Sequence, residues 1–314
     1  MNRVQTIFAG LLVLTVSATA KADLIGEWTF DKQNLSESSG YTGTGTSTHD
    51  GEGFGSVGYA KRGNGYALDL TAANSYVRIK NSAKKNNGSA DGGDNPNYRD
   101  TFGGHIFGSG GTNKMSVSFL AKGMPGGWRP FISKYGERKD TNPNIGYSDN
   151  RDWKGYGWQI RPHGDTNEAQ NKYYMSATYR NTGSGMGHQV PKEDYRSDEL
   201  QNFDKDAWHH YATVYDKDAG TIKMYVDGVL VLTETGVTQD MSNASHEFLA
   251  FGARDQNGGF GDTSPILMDQ IRIYDHAITK ADVDRLKAEL PEPGTIALLA
   301  LGGIGILRRR RKTA

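Results

Sequence analysis

The 314-residue chain has no cysteine. Disulfides, thiol nucleophiles and thiolate metal sites are therefore excluded, and stability is left to packing. No apolar run reaches the roughly 18 residues of a permanent membrane helix. There is no Gly-x-Ser-x-Gly elbow, and His246-Glu247 lacks the second histidine of a zinc-protease helix. Nor is there an internal repeat. A basic cluster is absent from the body of the chain: residues 23–291 carry 29 basic and 35 acidic residues, a net charge of −6. A mildly acidic body without a basic patch argues against nucleic-acid binding.

What is present is organised at both ends. Arg3, the apolar stretch Ile7 to Val16 and Ala20-Lys21-Ala22 have the order of a secretory signal peptide, with signal peptidase expected to cut after Ala22. At the other end Pro291-Glu292-Pro293 precedes Thr295 to Leu307, then four arginines and Lys312. That apolar run would make a short transmembrane helix of about 20 Å, against a hydrocarbon core of about 30 Å. The basic end should stay cytoplasmic, which puts residues 23–290 outside.

Between these ends glycine (41) and tyrosine (16) are abundant, the composition of many strands joined by turns. Twelve strands are expected, among them Met115–Lys122, Gly157–Arg161, Trp208–Tyr215, Thr221–Val226 and Leu267–Tyr274. Met115, Val117, Phe119 and Ala121 alternate with Ser116 and Ser118, which should face out. Trp208, His210, Ala212 and Val214 form a second apolar face. Asp227-Gly228 predicts a two-residue hairpin turn. Thr279, Asp282, Val283 and Leu286 predict one capped helix. Asn81 to Asn113, Asp140 to Tyr156, Pro162 to Lys172 and Gly183 to Lys205 read as long loops. The fold class is all-β: a two-sheet antiparallel sandwich with one short C-terminal helix.

Two resemblances follow. The tail resembles the PEP-CTERM sorting signal, which implies transient inner-membrane insertion, processing by an exosortase near Pro291-Glu292-Pro293, and export in a Gram-negative bacterium. In the body, Leu24–Asp31 (LIGEWTFD), Gly65–Leu70 with Ser75–Ile79, Trp208–Asp216 with Met224–Gly228, and Asp269–Tyr274 with Ala277–Thr279 are similar, in order and spacing, to a LamG-like, concanavalin A-type jelly roll.

No strand carries the alternating carboxylates that a glycosidase of this fold would place about the scissile bond. A non-catalytic carbohydrate-binding or adhesion module in an extracellular matrix is therefore expected, with extracellular polysaccharide or a surface glycan as partner. The rivals are a polysaccharide-cleaving enzyme of the same fold and a purely structural matrix protein. Trp28, Trp158 and Trp208 read as core. Trp128 and Trp153 read as loop residues able to meet a sugar ring, with Arg151 and Tyr156 beside the second. His209 and His210 are adjacent on a strand, so they point to opposite faces and make no metal pair. Asp269 reads on the same face as Ile271 and Ile273. If the first and last strands are neighbours it approaches Asp31, and the two suit a structural Ca²⁺. Capping of backbone amides, or pairing with Arg272 or Arg78, would also satisfy the carboxylate.

Overall fold

The computed structural model describes residues 24–39, 49–79, 113–139, 153–180, 194–237, 249–256 and 259–290. Ala22, Arg151, Pro291, Glu292, Pro293 and the apolar run Thr295 to Leu307 lie outside the described residues. No helix among the described residues is long and apolar enough to cross a membrane.

The strands in chain order are β1 (Leu24–Trp28), β2 (Gly51–Phe54), β3 (Gly58–Arg62), β4 (Gly65–Asp69), β5 (Tyr76–Ile79), β6 (Lys114–Lys122), β7 (Ile132–Lys139), β8 (Trp153–Pro162) and β9 (Met175–Arg180). They continue as β10 (Asp194–Arg196), β11 (Trp208–Asp216), β12 (Thr221–Val226), β13 (Val229–Thr235), β14 (Ala250–Phe251), β15 (Arg254–Gln256), β16 (Gly259–Gly261) and β17 (Leu267–Tyr274). One helix, α1 (Lys280–Lys287), follows. The first sheet runs β13-β12-β11-β6-β17-β4-β3, with β1 also on β17. The second runs β10-β9-β8-β7-β14-β5-β2. Pairing is antiparallel except where β15 lies parallel to β7.

The core lies between the sheets. Phe119 and Tyr211 stack with ring centroids 5.1 Å apart, and Phe131 from the second sheet tilts against both. Trp28 meets Phe251 edge-on, and its indole N–H is satisfied by the His49 carbonyl at 3.2 Å. Trp28 and Trp158 are core residues as expected, whereas Trp208 is only half-buried.

The central strands of the first sheet are buried on both faces, which period-2 alternation does not announce. Tyr211 and Tyr215 face the other sheet. Ala212 and Val214 instead join Tyr225, Tyr274, Ile278, Val283 and Leu286 in a second cluster beneath α1. Ser116 and Ser118 therefore do not reach solvent. Ser116 Oγ donates to His276 O and accepts from Ile278 N, and Ser118 Oγ meets His210 Nε2 at 2.9 Å. The helix begins where predicted, with a reciprocal Thr279–Asp282 capping box.

Two further corrections concern loops. Trp153 and Tyr156 are strand residues of β8, in register with Lys139 and Gly136, not loop residues. The segment Gly183 to Lys205, read as a loop, contains β10.

Candidate functional site

Strand β8 alternates inside a polar sheet face. Trp158 and Ile160 point into the core, so Gln159 and Arg161 point to the outer face of the second sheet. Register extends that face sideways. Gln159 pairs with Ser133 and Thr178, Ser133 with Ala250, Ala250 with Arg78, and Arg78 with Glu52. The row Glu52–Arg78–Ala250–Ser133–Gln159–Thr178 thus crosses six strands on the face turned away from the first sheet. Gln159 is buried there. Its Oε1 has no hydrogen-bond partner among the described residues, and its Nε2 reaches Thr178 Oγ1 only at 3.5 Å. A buried acceptor left without a donor costs about 1–3 kcal/mol, an energy that an incoming hydroxyl recovers.

The neighbouring row, Arg161–Ser176–Arg196, carries the aromatic part. Trp128, in the β6–β7 connection, is 56% exposed, while Arg161 is 1% exposed. The Arg161 guanidinium carbon lies 4.2 Å from the Trp128 ring centroid, and Nη1 donates to Pro162 O at 2.9 Å. A Cβ on Gly164 would stand 3.7 Å from the indole, so the ring also rests against that backbone. One ring face is fixed by a buried cation. A flat indole held in this way presents a rigid apolar surface, which suits the C–H face of a sugar. Arg196 flanks the row, paired with Asp165 at 2.5 Å and lying 4.9 Å over the Tyr174 ring.

Of the four residues expected at a sugar site, Trp128 is thus exposed in a connection, Trp153 and Tyr156 lie in β8, and Arg151 is outside the described residues. Sequence reasoning missed Arg161 and Gln159. The signal for them was the alternation of Trp158-Gln159-Ile160-Arg161, legible once Trp158 is assigned to the core.

The expected calcium pair lies elsewhere, on the outer face of the first sheet. Gln270 adopts φ 50° and the β17–β6 register shifts between Asp269 and Arg272. This β-bulge reverses the alternation. Asp269 is consequently on the face opposite Ile271 and Ile273, not beside them. It pairs with Arg62, not with Arg272 or Arg78: Arg62 Nη1 is 2.5 Å from Asp269 Oδ2, and Gln270 N donates to Oδ1 at 2.8 Å. Burial pushes the Asp269 carboxyl up to about 6, with Arg62 and the Gln270 amide pulling the other way and Asp31 adding to the rise.

The two histidines face opposite sides, as expected. His209 Nδ1 meets Asp227 Oδ2 at 2.6 Å and its Nε2 meets Asp204 O at 2.7 Å. His210 lies under α1 against Ser118.

Comparison with known proteins agrees with this architecture. A family model described as the concanavalin A-like lectin/glucanases superfamily, of laminin G type, matches residues 154–284, and the PEP-CTERM protein-sorting motif matches residues 289–312. That motif marks proteins exported in Gram-negative bacteria and held transiently at the membrane by the C-terminal tail. Comparison with curated proteins finds no match. Among solved structures, the chain is similar to domain 4 of AbnA, an extracellular arabinanase from Geobacillus stearothermophilus, in complex with arabinotriose. The identity is 18%, over 84% of this chain and 98% of that one, with a TM-score of 0.51. It is also similar to the binding domain of botulinum neurotoxin DC in complex with SialylT, at 13% identity over 86% and 52%, TM-score 0.51. The chain spans about half the length of that neurotoxin chain. At these identities the likeness is one of fold. The chain is a two-sheet antiparallel sandwich whose residues 154–284 match the concanavalin A-like model and whose residues 289–312 match the PEP-CTERM sorting motif.

Proposed function

We propose that the exported protein is a non-catalytic carbohydrate-binding module that attaches to extracellular polysaccharide or a surface glycan, serving adhesion within a matrix. The observation that carries this reading is the exposed Trp128 indole fixed over buried Arg161, on the same sheet face as the Gln159 acceptor, which has no partner among the described residues. An aromatic platform beside buried polar groups is the combination a sugar requires: an apolar ring face with hydroxyls at its rim. The arabinotriose complex of the structurally similar arabinanase domain supports the same class of ligand. Catalysis is not part of the proposal. The Glu52 carboxylate on this face is held by Arg78 at 2.5 Å, and Asp165 is held by Arg196, so neither stands ready as a general acid or base.

The test is a polysaccharide pull-down and glycan array with the purified protein and its Trp128→Ala variant. Binding that Trp128→Ala abolishes while the melting temperature stays constant supports the module and locates it. A folded wild-type protein that binds nothing across a broad panel sinks it, and release of reducing ends or unsaturated products from any polysaccharide would replace it with the enzyme reading.

A further inference from the structure

On the outer face of the first sheet the buried Asp269 carboxylate already has a cation. Arg62 closes β3, and its cross-strand partner is Gly65. The Asp31 carboxylate occupies the place a Cβ on Gly65 would take, which brings Asp31 alongside the Arg62 end of the hairpin. From there the Arg62 guanidinium spans three groups. Nη1 contacts Asp269 Oδ2 at 2.5 Å, Nη2 donates to Glu289 O at 3.0 Å, and Cζ lies 5.1 Å from the Trp208 ring centroid. The side chains of Arg62 and Asp269 are only 9% and 1% exposed.

This donor set does not fit calcium. Ca²⁺ takes six to eight oxygen ligands. Of the two Asp269 oxygens, one faces a guanidinium and the other a backbone N–H. A guanidinium contributes donors and positive charge but no acceptor. Among the described residues no three His, Cys, Asp or Glu side chains are placed to hold an ion. A divalent ion entering here would have to expel Arg62 and find most of its oxygens elsewhere.

We infer that Arg62 is the resident cation of the Asp269 carboxylate, standing in place of a divalent ion between it and Asp31, and that through the Glu289 carbonyl it fastens the turn after α1 to the sheet without metal. Geometry makes arginine the suitable residue. Its planar fork reaches a carboxylate and a carbonyl at once, which the point charge of lysine does not. Arg272 reinforces the attachment independently, meeting Glu289 Oε2 at 2.7 Å and Glu27 Oε1 at 2.8 Å. Glu289 stands two residues before Pro291, so this attachment lies directly ahead of the Pro-Glu-Pro segment in the chain.

Thermal melting of the purified protein in calcium chloride and in EGTA tests the inference, with Arg62→Met, Arg62→Lys and Asp269→Asn as variants. The wild type should melt at the same temperature in both media. Arg62→Met should melt roughly 5–10 °C lower, with Arg62→Lys between. The Arg62→Met/Asp269→Asn pair should lose less than the sum of the single losses. Hydrogen exchange over residues 280–290 should quicken in Arg62→Met. A wild-type melting point that rises with calcium, falls with EGTA and loses this response in Asp269→Asn overturns the inference, and it does so even where Arg62→Met fails to fold. Unchanged exchange over 280–290 in a folded Arg62→Met overturns the attachment.

Discussion

Trp128 and Arg161 form an inverted pair: the aromatic ring lies outside and the cation lies beneath it, 4.2 Å from the ring centroid. The usual arrangement buries the ring and leaves the charge in water. Here the indole is 56% exposed and the cation fixes its orientation. Trp128→Ala should weaken glycan binding by about 30-fold, the loss of a hot-spot aromatic worth about 2 kcal/mol. Because the ring is mostly in water, stability should change by no more than about 0.5 kcal/mol. Isothermal titration beside a urea melt separates the two effects. Trp128→Phe should retain part of the affinity.

The Asp227 side chain ties a hairpin to the strand before it. Its φ is 50°, and its carboxylate accepts from His210 N at 2.8 Å while meeting His209 Nδ1 at 2.6 Å. Alanine there loses both contacts and carries a Cβ penalty in left-handed backbone. Asp227→Ala should cost about 3 kcal/mol in denaturant unfolding. Asparagine tolerates this φ and keeps an acceptor, so Asp227→Asn should cost about 1 kcal/mol. Equal losses from the two would count against the turn geometry as the cause.

The contrast between Asp227 and Asp269 shows what the sequence carries. Asp227-Gly228 announced its own turn, because positive φ at two successive residues demands such a pair. The Asp269 face was misread because alternation from Leu267 to Ile273 gives no sign of a bulge at Gln270. Strands β2 (GEGF) and β3 (GYAKR) went unseen because glycine and lysine leave no period-2 apolar signal, although β3 delivers Arg62. For β11, alternation showed a strand but not which side meets the other sheet, since α1 covers the opposite side with apolar residues of its own. Trp128 was legible as a loop residue because Pro125-Gly126-Gly127 precedes it. The cation beneath it comes from a strand some thirty positions later, and only register brings the two together.

Arg272 should be the costlier of the two arginines near Glu289 to remove alone. It is 13% exposed, and Nε, Nη1 and Nη2 meet Glu27, Glu289 and Gln270. Burial opposes its charge, but the Glu27 hydrogen bond and Glu289 raise its pKa overall. Arg272→Met leaves Glu27 half-buried and uncompensated, at a cost of about 3 kcal/mol. Glu27→Gln combined with Arg272→Met should recover part of it, since no lone charge remains. A urea-denaturation cycle on the four proteins measures this, and strict additivity would mean that the pair is not coupled.

Stability should peak near pH 6.5, because three histidines pull in different directions around their common unfolded value of about 6.5. Burial holds His49 down to about 4, with Lys134 adding to it and Asp50 opposing. Burial also holds His210 down to about 4. As pH falls from 6.5 to 4 the unfolded chain binds protons that these two folded sites refuse, so their contribution is lost in that window. Asp269 opposes this loss in part: its folded value of about 6 lies above the unfolded one, so its ionisation costs stability that acid restores below pH 6. At His209 burial alone would lower the pKa, but the hydrogen bonds to Asp227 and to Asp204 O outweigh it and the net shift is upward. Its contribution is complete below pH 6.5 and is lost as pH rises through the folded value. Urea midpoints taken from pH 4 to pH 9 should therefore fall on both sides of the maximum. His210→Gln should flatten the acid limb and leave the alkaline limb alone, whereas Asp227→Asn should flatten the alkaline limb. A wild-type profile that keeps rising from pH 6.5 to pH 9 would rule out the upward shift at His209.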